Sequence, residues 1–309
     1  MLLWLPEDDW PDWLTVPEQV EVEVWRGGQP VPHSVSDVEF YVPEYLGSAA
    51  VIEVAQRMSS LRVLQSLSAG YEHLVGKTPE AAVVCNARGV HEASTAELAV
   101  GLTIAALRGF PEFVRAQDQS HWVHQRHQAL ADKRVMILGY GSVGHAVADR
   151  LRGFEVEVVP VARNARDGVH AVTELSQLLA EVDVVVVTVP LTASTKQLVD
   201  GQFLAAMRDG GLLVNVARGQ VVDTNALVAE LRSGRLHAAL DVTDPEPLPA
   251  DHPLWQAPNV LISPHVGGDT TAFAPRARRL VQAQLDRFVA GEPLLNVIPR
   301  AALTTAPAP

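Results

Sequence analysis

Short apolar runs recur along the first third of the chain, and each is bounded by Gly, Pro, Asn or Ser. Runs of this length with such boundaries predict buried strands. The predicted strands are Glu21–Trp25, Val38–Val42, Leu61–Leu67 and Ala82–Cys85. A long helical pattern then begins near Ser94, and Ser94 with Glu97 fits a capping box at its start.

The second part of the chain repeats the alternation of strand-like and helix-like segments. Its predicted strands are Lys133–Leu138, Val156–Val161, Val182–Val189, Leu212–Val216, Leu236–Val242 and Val260–Ser263. The four consecutive valines after Asp183 are far fewer than the roughly 20 apolar residues of a membrane span, and they suit a strand buried on both faces. The alternation predicts an α/β fold with parallel sheets.

The segment Gly139-Tyr140-Gly141-Ser142-Val143-Gly144 has the pattern G-x-G-x-x-G. Such a turn often only reverses the chain, but here a predicted strand precedes it and a predicted helix follows it, which favours dinucleotide binding. Gly139 would allow the tight turn, Gly141 the close approach of a pyrophosphate, and Gly144 the packing of helix on strand. The N-terminus of the helix would face the phosphates.

Two arginines follow the next predicted strand, where NAD enzymes place an acidic residue for the adenine ribose. Arg163 and Arg166 stand there, and a guanidinium suits the 2′-phosphate of NADP by charge and geometry. The sequence therefore favours NADP(H), with NAD(H) as the alternative if the arginines are only solvated or if Asp167 reaches the ribose. Pro160 lies within this strand although proline has no N–H to donate, which internal strands disfavour.

With 309 residues, the chain has the length of two domains. The last predicted helix, about Pro275 to Ala290, leads into Leu294–Ile298, which we expect to return to the first domain. We predict two Rossmann-like, doubly wound parallel-sheet domains with a cleft between them. Residues 1–96 with 287–309 would form a discontinuous substrate-binding domain, and residues 97–286 the dinucleotide-binding domain.

Net charge, cysteine content and the first residues narrow the class of protein. The net charge of −12 argues against partners such as nucleic acid or an anionic membrane. Cys85 is the only cysteine, so the chain has no disulfide framework. The apolar start is followed at once by acidic residues and does not resemble a signal peptide. We expect a cytoplasmic protein, and we assign no residue as a metal ligand.

One arginine, one glutamate and one histidine follow predicted strands in the second half of the chain: Arg218, Glu246 and His265. Reduction of a 2-oxo acid needs a cation for the carboxylate, a proton donor for the developing alkoxide and a group that orients the donor. Arg218 would bind the carboxylate, His265 would exchange the proton, and Glu246 would accept a hydrogen bond from the imidazole and favour its charged form. Taken singly, each is more often a surface or structural residue than a catalytic one; their common placement after strands, downstream of the glycine turn, favours the catalytic interpretation.

At these residues the sequence resembles the D-2-hydroxyacid dehydrogenase family, which includes glyoxylate/hydroxypyruvate reductases and phosphoglycerate dehydrogenases. The similar segments are Leu67–Leu74, Asn86–Glu97, Gly139–Gly144, Thr188–Thr192, Asn215–Asp223, Asp241–Pro247 and Pro264–Gly268. The resemblance implies an NAD(P)-dependent oxidoreductase that acts on a small acid of D configuration, most similar to glyoxylate/hydroxypyruvate reductases. It also implies that Arg218, Glu246 and His265 form the catalytic set.

The resemblance implies further contacts. Cofactor contacts are expected from Thr188, Pro190, Val216, Ala217, Asp241 and Gly267, with Asp241 near the nicotinamide carboxamide. Substrate contacts are expected from Arg218 and from backbone groups of Ser68, Ala69, Gly70 and Tyr71. A homodimer through the Glu97–Trp122 region is the family expectation.

Two alternatives stay open at the level of sequence. The first is a dinucleotide-sensing regulatory protein of the same fold, and the second is a dehydrogenase of another substrate class, such as a phosphonate or an amino acid. Arg88 and His91 have no assigned role. Because substrate contacts are expected from both domains, we also expect the site to assemble on domain closure.

Overall fold

A computed structural model of the chain describes residues 1–7, 9–10 and 14–304. Its strands are β1 (Leu2–Leu5), β2 (Glu21–Val24), β3 (Val38–Tyr41), β4 (Val63–Gln65), β5 (Val83–Cys85), β6 (Arg134–Leu138), β7 (Glu157–Ala162), β8 (His170–Ala171), β9 (Val184–Val187), β10 (Leu212–Asn215), β11 (His237–Leu240) and β12 (Val260–Ile262). Its α-helices are α1 (Ala49–Glu53), α2 (Glu92–Leu107), α3 (Phe110–Asp118), α4 (Ser142–Leu151), α5 (Leu175–Leu178), α6 (Gly201–Ala206), α7 (Thr224–Arg232), α8 (Phe273–Ala290) and α9 (Arg300–Thr304). None of the helices in these ranges has both the length and the apolar character needed to cross a membrane.

The chain divides into two compact units. Unit 1 comprises Met1–His91 with Thr271–Pro309, and unit 2 comprises Glu92–Thr270. Along the sequence, the two segments of unit 1 flank the single segment of unit 2. The predicted boundaries at 96/97 and 286/287 cut through α2 and α8, whereas the structure keeps α2 whole in unit 2 and α8 whole in unit 1.

The five strands that the structure describes in unit 1 form one parallel sheet in the order β2-β1-β3-β4-β5. This is the 2-1-3-4-5 order of flavodoxin-like doubly wound folds. Side chains of β1 alternate between the two faces, with Leu3 in the cluster that includes Ala277 and Val281 of α8, and Trp4 in the opposite cluster. The chain returns to this sheet after α8, where the N–H of Ile298 donates to the carbonyl of Val84.

The seven strands of unit 2 also form one parallel sheet, in the order β12-β11-β10-β9-β6-β7-β8. The order reverses between β6 and β9, which is the switch point at which Rossmann folds bind ligands. The four valines of β9 are all buried, and Val185 and Val187 pack into one core cluster whereas Val184 and Val186 pack into the other. Apolar side chains on both faces explain the uninterrupted valine run.

The structure accounts for Pro160 in the second strand of this sheet. On one side β7 pairs with β6 along its length, and Pro160 stands opposite Ile137. On the other side, β8 pairs only with Val161 and Ala162. No strand adjoins Pro160 on that side among the described residues, so the position behaves as an edge, where a missing N–H costs no ladder hydrogen bond.

Two local expectations differ from the structure. Helix α2 begins at Glu92, so Ser94 lies inside the helix, where its Oγ is 2.7 Å from Thr270 Oγ1. The predicted capping box at Ser94 is therefore wrong, because its hydroxyl is engaged with another segment. The apolar start of the chain forms strand β1 (Leu2–Leu5), which the sequence pattern did not predict, since four residues are too few to show a period.

Candidate active site

The three glycines of the turn after β6 have different surroundings. Gly139 has φ +107°, and a Cβ there would lie 2.6 Å from the backbone nitrogen of Val189. A Cβ on Gly144 would lie 2.2 Å from the Gly139 carbonyl oxygen, whereas a Cβ on Gly141 would meet no atom within 4 Å. Gly139 and Gly144 therefore allow close packing, and Gly141 faces open space.

The open space over Gly141 lies at the beginning of α4, where Ser142 is the first helical residue and Gly141 is the N-cap. The first N–H groups of a helix have no intrahelical acceptor, and the positive end of the helix dipole favours an anion there. The turn is held from the neighbouring strand, because Thr188 Oγ1 donates to the Gly139 carbonyl at 2.5 Å. These features fit the pyrophosphate of a dinucleotide.

The two predicted phosphate-binding arginines lie beside this turn. Arg163 follows β7 directly, is exposed, and makes no hydrogen bond or ion pair to another residue that the structure describes. Arg166 Nη2 donates to the Tyr140 carbonyl at 2.9 Å, and its guanidinium carbon lies 5.8 Å from the centre of the Tyr140 ring. The structure therefore joins Arg166 to the glycine turn and leaves the guanidinium of Arg163 available.

Arg218 stands in a tight turn at the end of β10. Asn215, which is 1% exposed, accepts a hydrogen bond from the Ala217 N–H and donates one to the Arg218 carbonyl, both at 3.0 Å. Arg218 is half-buried, and its Nη1 donates to the Ala217 carbonyl at 2.7 Å. Sequence reasoning assigned no role to Asn215, which is the last residue of β10, because the role of its amide depends on the carbonyl that lies opposite it.

The turn that holds Arg218 touches the loop after β11. A Cβ on Gly219 would lie 1.8 Å from the carbonyl oxygen of Thr243, so only glycine permits this approach. The contact brings the loop of Glu246 next to Arg218. Sequence reasoning did not single out Gly219, because a close approach between two loops leaves no local pattern.

Glu246 and His265 form a hydrogen-bonded pair, with 2.5 Å between Glu246 Oε1 and His265 Nδ1. Both side chains are partly exposed, at 37% and 40%. The hydrogen bond from His265 lowers the pKa of the Glu246 carboxyl, and the positive charge of Arg218 contributes in the same direction. The predicted Arg218, Glu246 and His265 therefore lie together at the ends of neighbouring strands.

The loop that holds His265 is fixed by Asp241, which is 3% exposed. Asp241 Oδ1 accepts hydrogen bonds from Ser263 Oγ at 2.7 Å and from the Val266 N–H at 3.0 Å, and Oδ2 accepts from the Gly267 N–H at 2.9 Å. The Asp241 carbonyl accepts from the His265 N–H at 2.7 Å. These bonds hold His265 at φ +53°, a conformation that a non-glycine residue rarely adopts.

The remaining predicted cofactor residues lie in unit 2 and the predicted substrate loop in unit 1. Val216 and Ala217 are buried, and the carbonyl of Pro190 accepts a hydrogen bond from Thr195 Oγ1. In unit 1, the segment 68–71 follows β4 and is half-buried. His91, to which the sequence assigned no role, is 7% exposed, and its Nε2 lies 2.8 Å from the Leu67 carbonyl. Arg88 is exposed.

The fold and the glycine turn define a dinucleotide-binding α/β protein, and comparison with known proteins identifies its family. Residues 100–267 match the family model described as D-isomer specific 2-hydroxyacid dehydrogenase, NAD binding domain. The chain is 30% identical over 304 residues to the human glyoxylate reductase/hydroxypyruvate reductase, an alignment that covers 89% of each protein.

Comparison with solved structures identifies the same family. A D-isomer specific 2-hydroxyacid dehydrogenase from Xanthobacter autotrophicus, in complex with NADPH and MES, aligns with a TM-score of 0.82 at 30% identity and covers 98% of each chain. An NADPH-dependent glyoxylate/hydroxypyruvate reductase from Sinorhizobium meliloti aligns with a TM-score of 0.78 at 25% identity, covering 99% of this chain and 97% of the other. The chain belongs to the D-isomer specific 2-hydroxyacid dehydrogenase family. It is an NAD(P)-dependent oxidoreductase of 2-hydroxy acids.

Proposed function

We propose that this protein reduces glyoxylate or hydroxypyruvate with NADPH, and that Arg218, Glu246 and His265 are its catalytic residues. The observation that supports this most directly is the 2.5 Å hydrogen bond between Glu246 and His265, next to the charge of Arg218. A cation, a proton donor and a group that orients the donor are what reduction of a 2-oxo acid requires. The similarity to the human reductase supports these two substrates.

His265 is the proton donor to the developing alkoxide. The lowered pKa of Glu246 keeps its carboxyl ionised, and an ionised carboxylate only accepts hydrogen bonds. The hydrogen in the pair is therefore on His265 Nδ1, which leaves Nε2 to hold and transfer the second proton. The hydrogen bond to the carboxylate also fixes the direction in which the imidazole ring presents Nε2.

Arg218 binds the carboxylate of the substrate and polarises its carbonyl group. A guanidinium presents several N–H donors in a fixed plane, which matches a carboxylate better than an ammonium does. The bond from Nη1 to the Ala217 carbonyl and the turn held by Asn215 orient this side chain before substrate arrives. Little side-chain entropy then remains to be lost on binding.

The cofactor is held by the glycine turn and the strand ends around it. Gly139 to Gly144 bind the pyrophosphate, and Thr188, Pro190, Val216, Ala217 and Gly267 line the remainder. When bound, the reduced nicotinamide supplies the hydride. Asp241 uses three of about four acceptor positions for the segment that follows β12, which leaves one on Oδ2 for a donor such as a carboxamide N–H.

We also propose that backbone N–H groups of the loop 68–71 in unit 1 bind the substrate carboxylate. The N–H groups of Ala69, Gly70 and Tyr71 donate to no other residue that the structure describes. Consecutive N–H groups that lack an acceptor within the protein are suited to bind an anion. We include Ser68 in this loop, although its own N–H donates to Ser66 Oγ at 3.2 Å.

The main test of the proposed function is the initial rate of NADPH and NADH oxidation with glyoxylate, hydroxypyruvate and bulkier 2-oxo acids. We expect turnover with the two small acids and a higher kcat/KM with NADPH. Turnover confined to the bulkier acids would contradict the proposed substrates. Tight NADPH binding without turnover on any 2-oxo acid would contradict the proposed reaction.

His265→Ala should lower kcat by about 10²–10⁴, because a group that transfers a proton is lost. Isothermal titration should show unchanged affinity for NADPH. His170→Ala is a matched control, because His170 Nδ1 lies 2.8 Å from Glu174 in a histidine–carboxylate pair of the same kind at the edge of the sheet. A normal kcat for His265→Ala, or an equal loss in the control, would remove His265 from the mechanism.

Arg163→Asp should weaken NADPH more than NADH, because a carboxylate repels the 2′-phosphate and can accept hydrogen bonds from a ribose. The measurement is the ratio of kcat/KM for the two nucleotides. Arg232→Asp makes the same change of charge at an exposed position of α7 and should leave the ratio as it was. Equal losses with both nucleotides would contradict the assignment of Arg163.

We propose that the protein is a homodimer through the Glu97–Trp122 region. This region exposes apolar side chains, with Phe110 at 48% and Trp122 at 97% exposure, and such groups mark interaction surfaces. Light scattering after gel filtration should give twice the mass of one chain, and Trp122→Ser should shift the equilibrium toward monomer. Trp255→Ser, at a tryptophan that is 51% exposed, is the control. A monomeric wild type would refute the proposal.

A further inference from the structure

Three consecutive carbonyl groups before and within the substrate loop of unit 1 accept hydrogen bonds from one segment, Asn86–His91. His91 Nε2 lies 2.8 Å from the Leu67 carbonyl oxygen. The N–H of Ala87 donates to the Ser68 carbonyl at 2.9 Å. Asn86 Nδ2 donates to the Ala69 carbonyl at 2.8 Å. We call this segment with its three bonds the carbonyl clamp.

Fixing a carbonyl fixes the next N–H, because a trans peptide unit is planar and its C=O and N–H point in opposite directions. The bond to the Ser68 carbonyl therefore turns the Ala69 N–H away from the clamp, and the bond to the Ala69 carbonyl does the same for the Gly70 N–H. Neither N–H donates to another residue that the structure describes. The clamp thus sets the direction of two donors.

Asn86 is tied to the core of unit 1 and is not a mobile surface group. Its carbonyl accepts a hydrogen bond from Gln65 Nε2 at 3.1 Å, and Gln65 Oε1 in turn accepts from Gln284 Nε2 at 2.6 Å. Both glutamines are 0% exposed. The N–H of Asn86 donates to the Asn296 carbonyl, and its Oδ1 accepts from the Arg88 N–H at 3.2 Å. These bonds fix the position from which Nδ2 reaches Ala69.

His91 fixes the other end of the clamp. Its ring lies 5.3 Å from the Tyr45 ring and 5.5 Å from the Phe273 ring, centre to centre, and is nearly parallel to both. A carbonyl oxygen only accepts hydrogen bonds, so His91 Nε2 must carry a hydrogen to bond Leu67. This bond orients the peptide between Leu67 and Ser68. The N–H of that peptide donates to Ser66 Oγ. His91 therefore orients a peptide that contains neither the Ala69 N–H nor the Gly70 N–H, whereas Asn86 orients the peptide that contains the Gly70 N–H.

We propose that Asn86 is a positioning residue for substrate, which through the carbonyl clamp directs the N–H groups of Ala69 and Gly70 toward the carboxylate of the 2-oxo acid. This proposal rests on the proposed function, since it concerns the same substrate. Asn86 itself does not touch the substrate; it acts through the peptide between Ala69 and Gly70.

Asn86→Asp tests the proposal with the smallest change of shape. The introduced carboxylate still accepts from the Arg88 N–H, but it presents an acceptor to the Ala69 carbonyl, so the peptide is repelled and the Gly70 N–H turns. The KM for glyoxylate should rise on the order of tenfold to a hundredfold, as when a hydrogen bond to a charged group is lost. The affinity for NADPH should stay unchanged, because the cofactor residues lie in unit 2.

The pH dependence distinguishes positioning from a general structural defect. As the pH falls, the introduced carboxyl takes up a proton and becomes a donor again. The ratio of the variant's KM to that of the wild type should therefore fall toward one. A ratio that stays constant with pH would contradict the role of the Asn86 donor, and so would a thermal midpoint that falls while KM is unchanged.

Two further variants serve as controls. Asn296→Asp makes the same chemical change at an amide whose Nδ2 donates to the Arg88 carbonyl at 2.7 Å, outside the clamp's bonds to the loop. It should leave KM close to that of the wild type, and an equal rise would assign the effect to the whole segment and overturn the proposal.

His91→Phe keeps an aromatic ring and should raise KM less than Asn86→Asp does. A larger rise would show that His91, and not Asn86, controls the direction of the N–H groups, and would contradict the proposal. Absence of wild-type turnover would refute the proposed function, whereas turnover with a normal KM in Asn86→Asp would refute only the clamp.

Discussion

Neighbouring strands are parallel in every pairing that the structure describes, and the position of the candidate site depends on that constraint. Parallel strands end at the same edge, so the segments after them converge even when they are distant in sequence. The glycine turn follows β6, Thr188 follows β9, Arg218 follows β10 and the Pro264–Gly268 loop follows β12. The geometry of the sheet, more than any local pattern, therefore brings these groups together.

The loop of His265 shows how a strained position is stabilised. A non-glycine residue at positive φ costs about 1–3 kcal/mol. Against this cost stand the hydrogen bonds of Asp241, a buried carboxylate that accepts from a hydroxyl and two N–H groups and forms no ion pair within the described residues. Donors that are fixed in place stabilise a buried charge without a cation. The same bonds direct the imidazole toward Glu246.

Much of this fold is visible in the sequence, because periodicity and strand boundaries are local properties. The valine run of β9, the helix after the glycine turn and the return of Ile298 to the first sheet could all be predicted. Features that depend on tertiary neighbours could not. Ser94 looks like a helix cap until Thr270 is placed beside it, and Pro160 looks misplaced until the limited extent of β8 is known.

The residues of the candidate site likewise divide into those that can be predicted from the sequence and those that cannot. Residues whose chemistry is conspicuous, such as Arg218 and His265, could be recognised from their type and their place after strands. Asn215, Gly219 and Asn86 could not, since an amide or a glycine acquires its meaning only from the atom that lies opposite it. In each case that atom is a carbonyl oxygen of another residue, at Arg218, Thr243 or Ala69. Sequence patterns do not record such pairings.

In each unit, a side chain that hydrogen-bonds to the backbone fixes the groups to which we assign chemistry. In unit 2, Asp241 binds the backbone around His265, and in unit 1, Asn86 binds the backbone before Gly70. The side chains of Asp241 and Asn86 differ in hydrogen-bonding role, one as acceptor and the other as donor, for a physical reason. A carboxylate accepts and so holds N–H groups, which leaves the side chain of His265 to act, whereas an amide nitrogen donates and so holds a carbonyl, which leaves the N–H groups to act. Replacing the acceptor at Asp241 by a donor, or the donor at Asn86 by an acceptor, would therefore release the peptide that the active group depends on.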